Sequence, residues 1–250
     1  MGFVLLAGLN SCMWGVPKKQ PSGITTDTLI YTYKTVKEQS ADCNSTPDSS
    51  CTVFSVHYPV FKNAPVLNAF LKLSDTAIAS AKKSFFADYE ENKKELSGRA
   101  LSFEYNDSLK VVRQDSSLVT IQDNSFGYYG GAHGMNAASF INWNSKANKA
   151  LKLSDIFKPG YEQQLTQIAE TIFRKDEKLS ETASLADDYF FKDGKFSLKN
   201  NFLITPLGIK FLYNNYEIKP GAAGQTELLI PYSQIRSLLR PNTVVSQYLK

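Results

Sequence analysis

A chain of 250 residues, of which 42% are apolar and 12% aromatic, has enough nonpolar side chain for one large or two modest domains with an ordinary core. Its 28 basic and 24 acidic residues are scattered and leave a net charge of only +4, with no basic tract to follow a phosphate backbone, so no nucleic-acid partner is expected. No stretch approaches the ~18 apolar residues of a membrane span, so contact with a membrane is expected through a lipid anchor only.

The chain opens on "MGFVLLAGLNSC", a short apolar run ending in small residues, which is the pattern of the tail of a secretory signal. Leu9, Asn10, Ser11 and Cys12 resemble the Leu-x-x-Cys lipobox of bacterial lipoproteins, which makes Cys12 the expected site of lipidation. The competing reading is a plain hydrophobic N-terminus, since no Lys or Arg precedes the run. Residues 1–22 are thus assigned to signal and linker, with "GVPKKQPSG" as the punctuation that follows.

"TLIYTYKTVKEQ" (28–39) and "CTVFSVHYPVF" (51–61) alternate β-branched and aromatic residues with polar ones and are predicted as a strand hairpin. Cys43 and Cys51 lie in the connection, flanking the turn-rich "NSTPDSS", and are expected to form a disulfide in an oxidising compartment; two free thiols are the alternative. Zinc is not expected, because only His57 and His133 could join these thiols, and no cofactor motif is present.

Residues 64–96 place Leu67, Leu71, Ala77, Ile78, Ala81 and Phe85 at spacings near three and four, predicting one long amphipathic helix opened by Pro65. The run "EENKKE" (90–95) reads as its solvated end. Three further alternating runs follow, with turn signals at Asn106-Asp107 and Asp115-Ser116, giving an antiparallel meander that continues to about residue 144.

A second unit begins at "LKLSDIFKPGYEQQLTQIAETIFRK", where Ser154 or Asp155 caps a short turn, Pro159-Gly160 reverses the chain, and a helix runs over about 161–175. Then come a polar, partly helical stretch, three strands, and a short final helix over Ser233–Leu239. The expected fold is therefore α+β: antiparallel sheets with a long helix in an N-terminal domain (23–150), and a C-terminal α+β unit (151–250).

"YYGGAHG" (128–134), "LKLSDIF" (151–157), "FLITPLGIKFLYNNYEI" (202–218) and "GAAGQTELLIPYSQIRSLL" (221–239) together resemble the extracytoplasmic domain of the anti-sigma-V factor family, RsiV-like, also found as an accessory module of the peptidoglycan deacetylase PdaC. The resemblance runs over about residues 25–240. It departs at Lys219-Pro220-Gly221, where the family commonly carries a tyrosine after an Ala-Pro pair. It implies an exported, non-catalytic binding module of the cell envelope, with a lysozyme-like protein or cell-wall glycan as partner.

The stretch "NSFGYYGGAHGMNAASFINWN" (124–144) is the candidate site. Gly130, Gly131 and Gly134 predict a structural turn with special backbone geometry, and His133 on it reads as a turn-locking residue, a ligand contact, or a catalytic imidazole. Tyr128 and Tyr129, with His133 and the "YNNYE" residues Tyr213, Asn214, Asn215 and Tyr216, form the predicted ligand-binding set, although core packing competes for each aromatic. No Gly-x-Ser-x-Gly, HExxH or phosphate loop accompanies them, so the alternative function, a peptidoglycan- or glycan-acting hydrolase with a site near His133, has no second member in the sequence.

Overall fold

The computed structural model describes residues 29–44, 51–95, 102–115 and 117–249. The signal, the lipobox with Cys12, and the linker lie outside the described residues. Six strands form one sheet in sequential order: β1 (Tyr31–Gln39), β2 (Val53–Phe61), β3 (Phe103–Asp115), β4 (Leu118–Tyr129), β5 (Met135–Asn144) and β6 (Lys149–Ala150). The fold is α+β, as the alternating runs predict. β1 and β2 pair antiparallel, and a disulfide between Cys43 and Cys51, with Cα atoms 4.8 Å apart, closes their connection. Breaking a loop of this length should cost roughly 2 to 3 kcal/mol. Urea unfolding of the oxidised chain against Cys43→Ala/Cys51→Ala would measure it, and coincident midpoints would sink the estimate.

Three expectations about this unit are corrected. The helix over 64–96 is two helices, α1 (Pro65–Leu71) and α2 (Asp75–Glu95), because Lys72 turns left-handed at φ 54°. Ser74 then begins a new helix, its Oγ accepting from the Ala77 N–H at 3.2 Å. Ile78, Phe85 and Tyr89 form the buried stripe of α2, whereas Ala77 and Ala81 face solvent. The sheet is also not wholly antiparallel: α1 and α2 make a crossover, and β2 and β3 run parallel with Phe54 opposite Tyr105. β3 passes straight through Asn106-Asp107, which is no turn, because Phe103, Tyr105 and Leu109 keep period two with one face turned inward.

The second core is built by α3 (Leu153–Ile156), α4 (Glu162–Asp176) and a three-stranded sheet, β7 (Phe202–Ile204), β8 (Gly208–Tyr213) and β9 (Thr226–Pro231). Leu165, Ala169 and Phe173 recur every fourth residue on α4 and are its buried face. Gly160, at φ 80°, allows the Pro-Gly turn before it. α5 (Tyr232–Ile235) is not the final element: a further single turn spans Val244–Tyr248, and the Tyr248 hydroxyl donates to Asp115 Oδ2 at 2.6 Å.

The two cores meet along β5. Its outer edge would present unpaired backbone groups, and asparagine side chains occupy it instead of a strand. Asn201 accepts from the Phe140 N–H at 3.0 Å and donates to Ala138 O at 2.8 Å; Asn214 accepts from the Ala138 N–H at 2.7 Å. Reciprocally, buried Asn142 donates to Phe202 O at 2.7 Å and accepts from the Ile204 N–H at 2.9 Å. A primary amide carries a donor and an acceptor in the same relation as a peptide, so it can mimic a strand neighbour.

Candidate functional site

Strand register decides which predicted site residues share a surface. Tyr128 and Tyr129 are adjacent in a strand and so point to opposite faces. Tyr129 lies on the inner face, its ring 5.4 Å from Phe103 and 6.1 Å from Phe85. Tyr128 lies on the outer face, opposite Glu104. The same alternation assembles a regular array there. Ser55, Asn106, Phe126 and Asn136 form one cross-strand row; His57, Ser108, Asn124 and Ala138 form the next; Lys110, Gln122 and Phe140 a third. Apart from Ala138 these side chains are exposed or half-buried.

The array is nearly uncharged at its centre: hydroxyls, carboxamides and the rings of Phe126, Tyr128 and Phe140, with Lys110 and Glu104 at its margins. Several of its polar groups are pre-positioned. Gln122 donates to Asn124 Oδ1 at 2.9 Å; Thr35 and His57 Nδ1 are 2.8 Å apart; the Tyr33 ring stacks on His57 at 4.6 Å. At the β5 end, Asn124, Asn136, Asn215 and Gln225 line a polar recess of about 400 Å³.

The remaining predicted residues divide. Tyr213 is a correction: it is fully buried among Phe191 and the second core, its hydroxyl donating to Ser197 O at 2.8 Å, because it falls on the inward position of β8. Asn214 is spent on Ala138 and on Gln225, which donates to it at 2.9 Å. Asn215 faces the recess, and Tyr216 is exposed at φ 65° with its ring lying over Gly221. A Cβ at 221 would collide with that ring, so the glycine at this position is the counterpart of Tyr216.

The glycine turn is also revised. Only Gly130 has positive φ, 78°; Gly131 does not and has open space where a side chain would go. Gly131→Ala should therefore change stability by no more than about 0.5 kcal/mol in thermal unfolding, and a larger loss would restore the special-backbone reading. Gly134 matters through contact, because a Cβ there would enter the Phe126 ring. His133 is exposed and makes no hydrogen bond to the described residues, so it does not lock the turn.

Sequence inspection missed the group beneath the array. Asp107 and Asp123, on β3 and β4, share the inner face with Tyr105. Burial, then a hydrogen bond and repulsion from Asp123, push Asp107 up to about 7; burial, with Asp107 beside it, pushes Tyr105 up to about 12. Asp123 also borders a cleft of about 380 Å³ with Ser125, Ser139, Asn200, Asn201 and Glu217. Among the described residues no three His, Cys, Asp or Glu side chains are gathered to hold a metal ion, and no helix is long and apolar enough to cross a membrane.

Fold and face together define an α+β module with two cores joined at a sheet edge and an open, amide-rich sheet surface. Comparison with known proteins is in keeping with that class. Residues 45–136 match the family model "Deacetylase PdaC", and residues 154–233 match DUF3298, "Protein of unknown function". The chain is 27% identical over 193 residues to the peptidoglycan-N-acetylmuramic acid deacetylase PdaC of Bacillus subtilis (strain 168), a likeness covering 75% of this chain and 39% of that protein. The chain thus spans well under half the length of this curated relative. Two crystal structures share the fold. A DUF3298 member from Bacteroides fragilis NCTC 9343 has a TM-score of 0.71 at 23% identity, covering 89% of this chain and 98% of that one. A DUF3298 protein from Pseudomonas aeruginosa PAO1 has a TM-score of 0.66 at 23% identity, covering 87% and 97%. These matches support the likeness to the accessory part of PdaC.

Proposed function

We propose that this chain is an extracytoplasmic, cell-envelope binding module without catalysis of its own, and that the outer face of β2–β5 takes a strand of cell-wall glycan. The observation that carries the reading is the array itself: three cross-strand rows of hydroxyl and carboxamide groups interleaved with Phe126, Tyr128 and Phe140. Sugar rings offer an apolar face for aromatic contact and a periphery of hydroxyl and acetamido groups for hydrogen bonds, with little charge. The likeness to a protein named for peptidoglycan deacetylation supports a wall ligand, and the Cys43–Cys51 bridge supports an oxidising compartment. Lipidation at Cys12 would hold the module at the membrane surface.

Calorimetric titration of the protein with soluble N-acetylated glycan oligosaccharides tests the reading. Tyr128→Ala should weaken binding roughly tenfold, the usual cost of about 1 to 2 kcal/mol for an aromatic anchor, with little loss of stability. Binding to a lysozyme-like protein with none to glycan would overturn the glycan reading in favour of the protein partner that the anti-sigma-V resemblance implies. Glycan cleavage that His133→Ala abolishes would overturn the non-catalytic reading.

A further inference from the structure

The acid pair beneath the array is a device that the binding reading does not use. Asp107 stands opposite Ser125, and Asp123 opposite Leu109, so the two carboxyls are diagonal neighbours on one face of the β3–β4 ladder. Oδ1 of each is shut off from solvent and receives no hydrogen bond from another described residue. Two ionised carboxylates so placed would repel across a poorly screened contact, each with an unsatisfied buried oxygen. One proton between them removes both penalties at once, as in coupled carboxyl pairs generally.

Among the described residues, the groups around the pair offer no cation to replace that proton. Tyr105, on β3, donates its hydroxyl to Asp107 Oδ2 at 3.5 Å, and the Ser108 backbone favours the ionised form of Asp107. β2 brings Val56 opposite Asp107, and β5 brings Ser139 opposite Asp123. Tyr129 lies near Tyr105, Asp88 of α2 acts on Tyr129, and Glu217 of the second unit borders the cleft beside Asp123. Every titratable member of this set is neutral or anionic. Buried Leu109 and Ile121 wall the pair on the ladder.

We infer that Asp107 and Asp123 hold a single proton between them and form a pH-responsive latch joining β3 to β4, closed in acid and strained once the proton leaves. Asn106, Ser108, Gln122 and Asn124 are the immediate chain neighbours of the two acids and point to the opposite, outer face, so strain in the latch moves polar groups of the array. The latch itself does not depend on the glycan reading; its consequence for binding does.

The sign follows from linkage. Asp107 is raised from 3.8 to about 7 in the folded chain, so the native state keeps a proton that the unfolded chain releases. The associated stability is fully present below the unfolded value, falls as pH rises from about 4 towards about 7, and stays low above that.

Carboxyl-carbon NMR of the wild-type protein across that range, without ligand, reads the proton directly. Urea unfolding of wild type, Asp107→Asn and Asp123→Asn at the same pH values reads its linkage. The expected result is an Asp107 carboxyl resonance, coupled to Asp123, that titrates near neutrality, and a wild-type folding equilibrium that falls by up to roughly tenfold per pH unit in the window. The asparagine variants should lack that fall, and at least one should be more stable than wild type at about pH 8. Two independent titrations below about pH 5, or a difference between wild type and both variants that is constant with pH, would overturn the latch. Calorimetry with the N-acetylglucosamine tetramer at about pH 5.5 and about pH 8.5 reads the coupling: wild-type affinity should fall at the higher pH and that of Asp107→Asn should not. Affinity independent of pH in wild type overturns the coupling. No binding at either pH, with the coupled titration present, overturns the glycan reading and leaves the latch standing.

Discussion

Asn142→Ala is expected to lower the unfolding free energy by roughly 2 to 6 kcal/mol, because it strands two buried backbone groups at about 1 to 3 kcal/mol each. The carboxamide donates to Phe202 O and accepts from the Ile204 N–H, and Asn142 is 2% exposed, so no water replaces it. Few side chains hold both cores as directly: one oxygen and one nitrogen tie β5 to β7. Urea denaturation at neutral pH should show the loss in the midpoint, and separate transitions for the two sheets would mark loss of their coupling. A variant within 0.5 kcal/mol of wild type, well inside the scatter of surface substitutions, would mean that the edge contact carries little of the junction.

Tyr213→Ala should cost roughly 3 to 5 kcal/mol, the range for removing a buried aromatic ring, whereas Tyr213→Phe should cost only about 1 kcal/mol for the bond to Ser197 O. The pair of variants separates a core residue from a ligand contact. Its ring is 6.2 Å from Phe191 at right angles and has no exposed surface. Thermal unfolding together with glycan titration distinguishes the roles: unchanged stability and lost binding in Tyr213→Phe would return Tyr213 to the site.

The contrast between Tyr128 and Tyr213 shows why a motif of aromatics reads ambiguously. Both stand near the end of a strand, and only the tertiary layers tell which face is covered. In β8 the covered face is set by α4 and the residues around Phe196 and Phe191; in β4, among the described residues, the face of Tyr128 has no layer over it until Thr120 and Leu118 reach the second core. Likewise Gly131 and Gly134 look alike in sequence, yet one borders empty space and the other the Phe126 ring.

The helix break had a signal that periodicity masked. Ser74-Asp75 is an ordinary helix-opening pair, but Leu71, Ile78 and Phe85 keep a helical spacing across it, and the apolar stripe outweighed the cap. The Asp107–Asp123 pair had no signal of that kind. Sixteen positions separate the two acids, and a one-residue change of register would place them on opposite faces.

What the amino-acid sequence determined by itself was local: strands where apolar and polar residues alternate, α4 where Leu165, Ala169 and Phe173 recur at fourth positions, and the nearness of Cys43 to Cys51 across a short turn-rich loop. These follow from side-chain period and chain length, which need no distant partner. Tertiary structure alone decided the parallel pairing of β2 with β3, the use of Asn201, Asn214 and Asn142 as strand substitutes, the parting of Tyr128 from Tyr129, and the meeting of Asp107 with Asp123. Each depends on register and layer cover, and those are fixed by burial summed over both cores rather than by any segment's own preference.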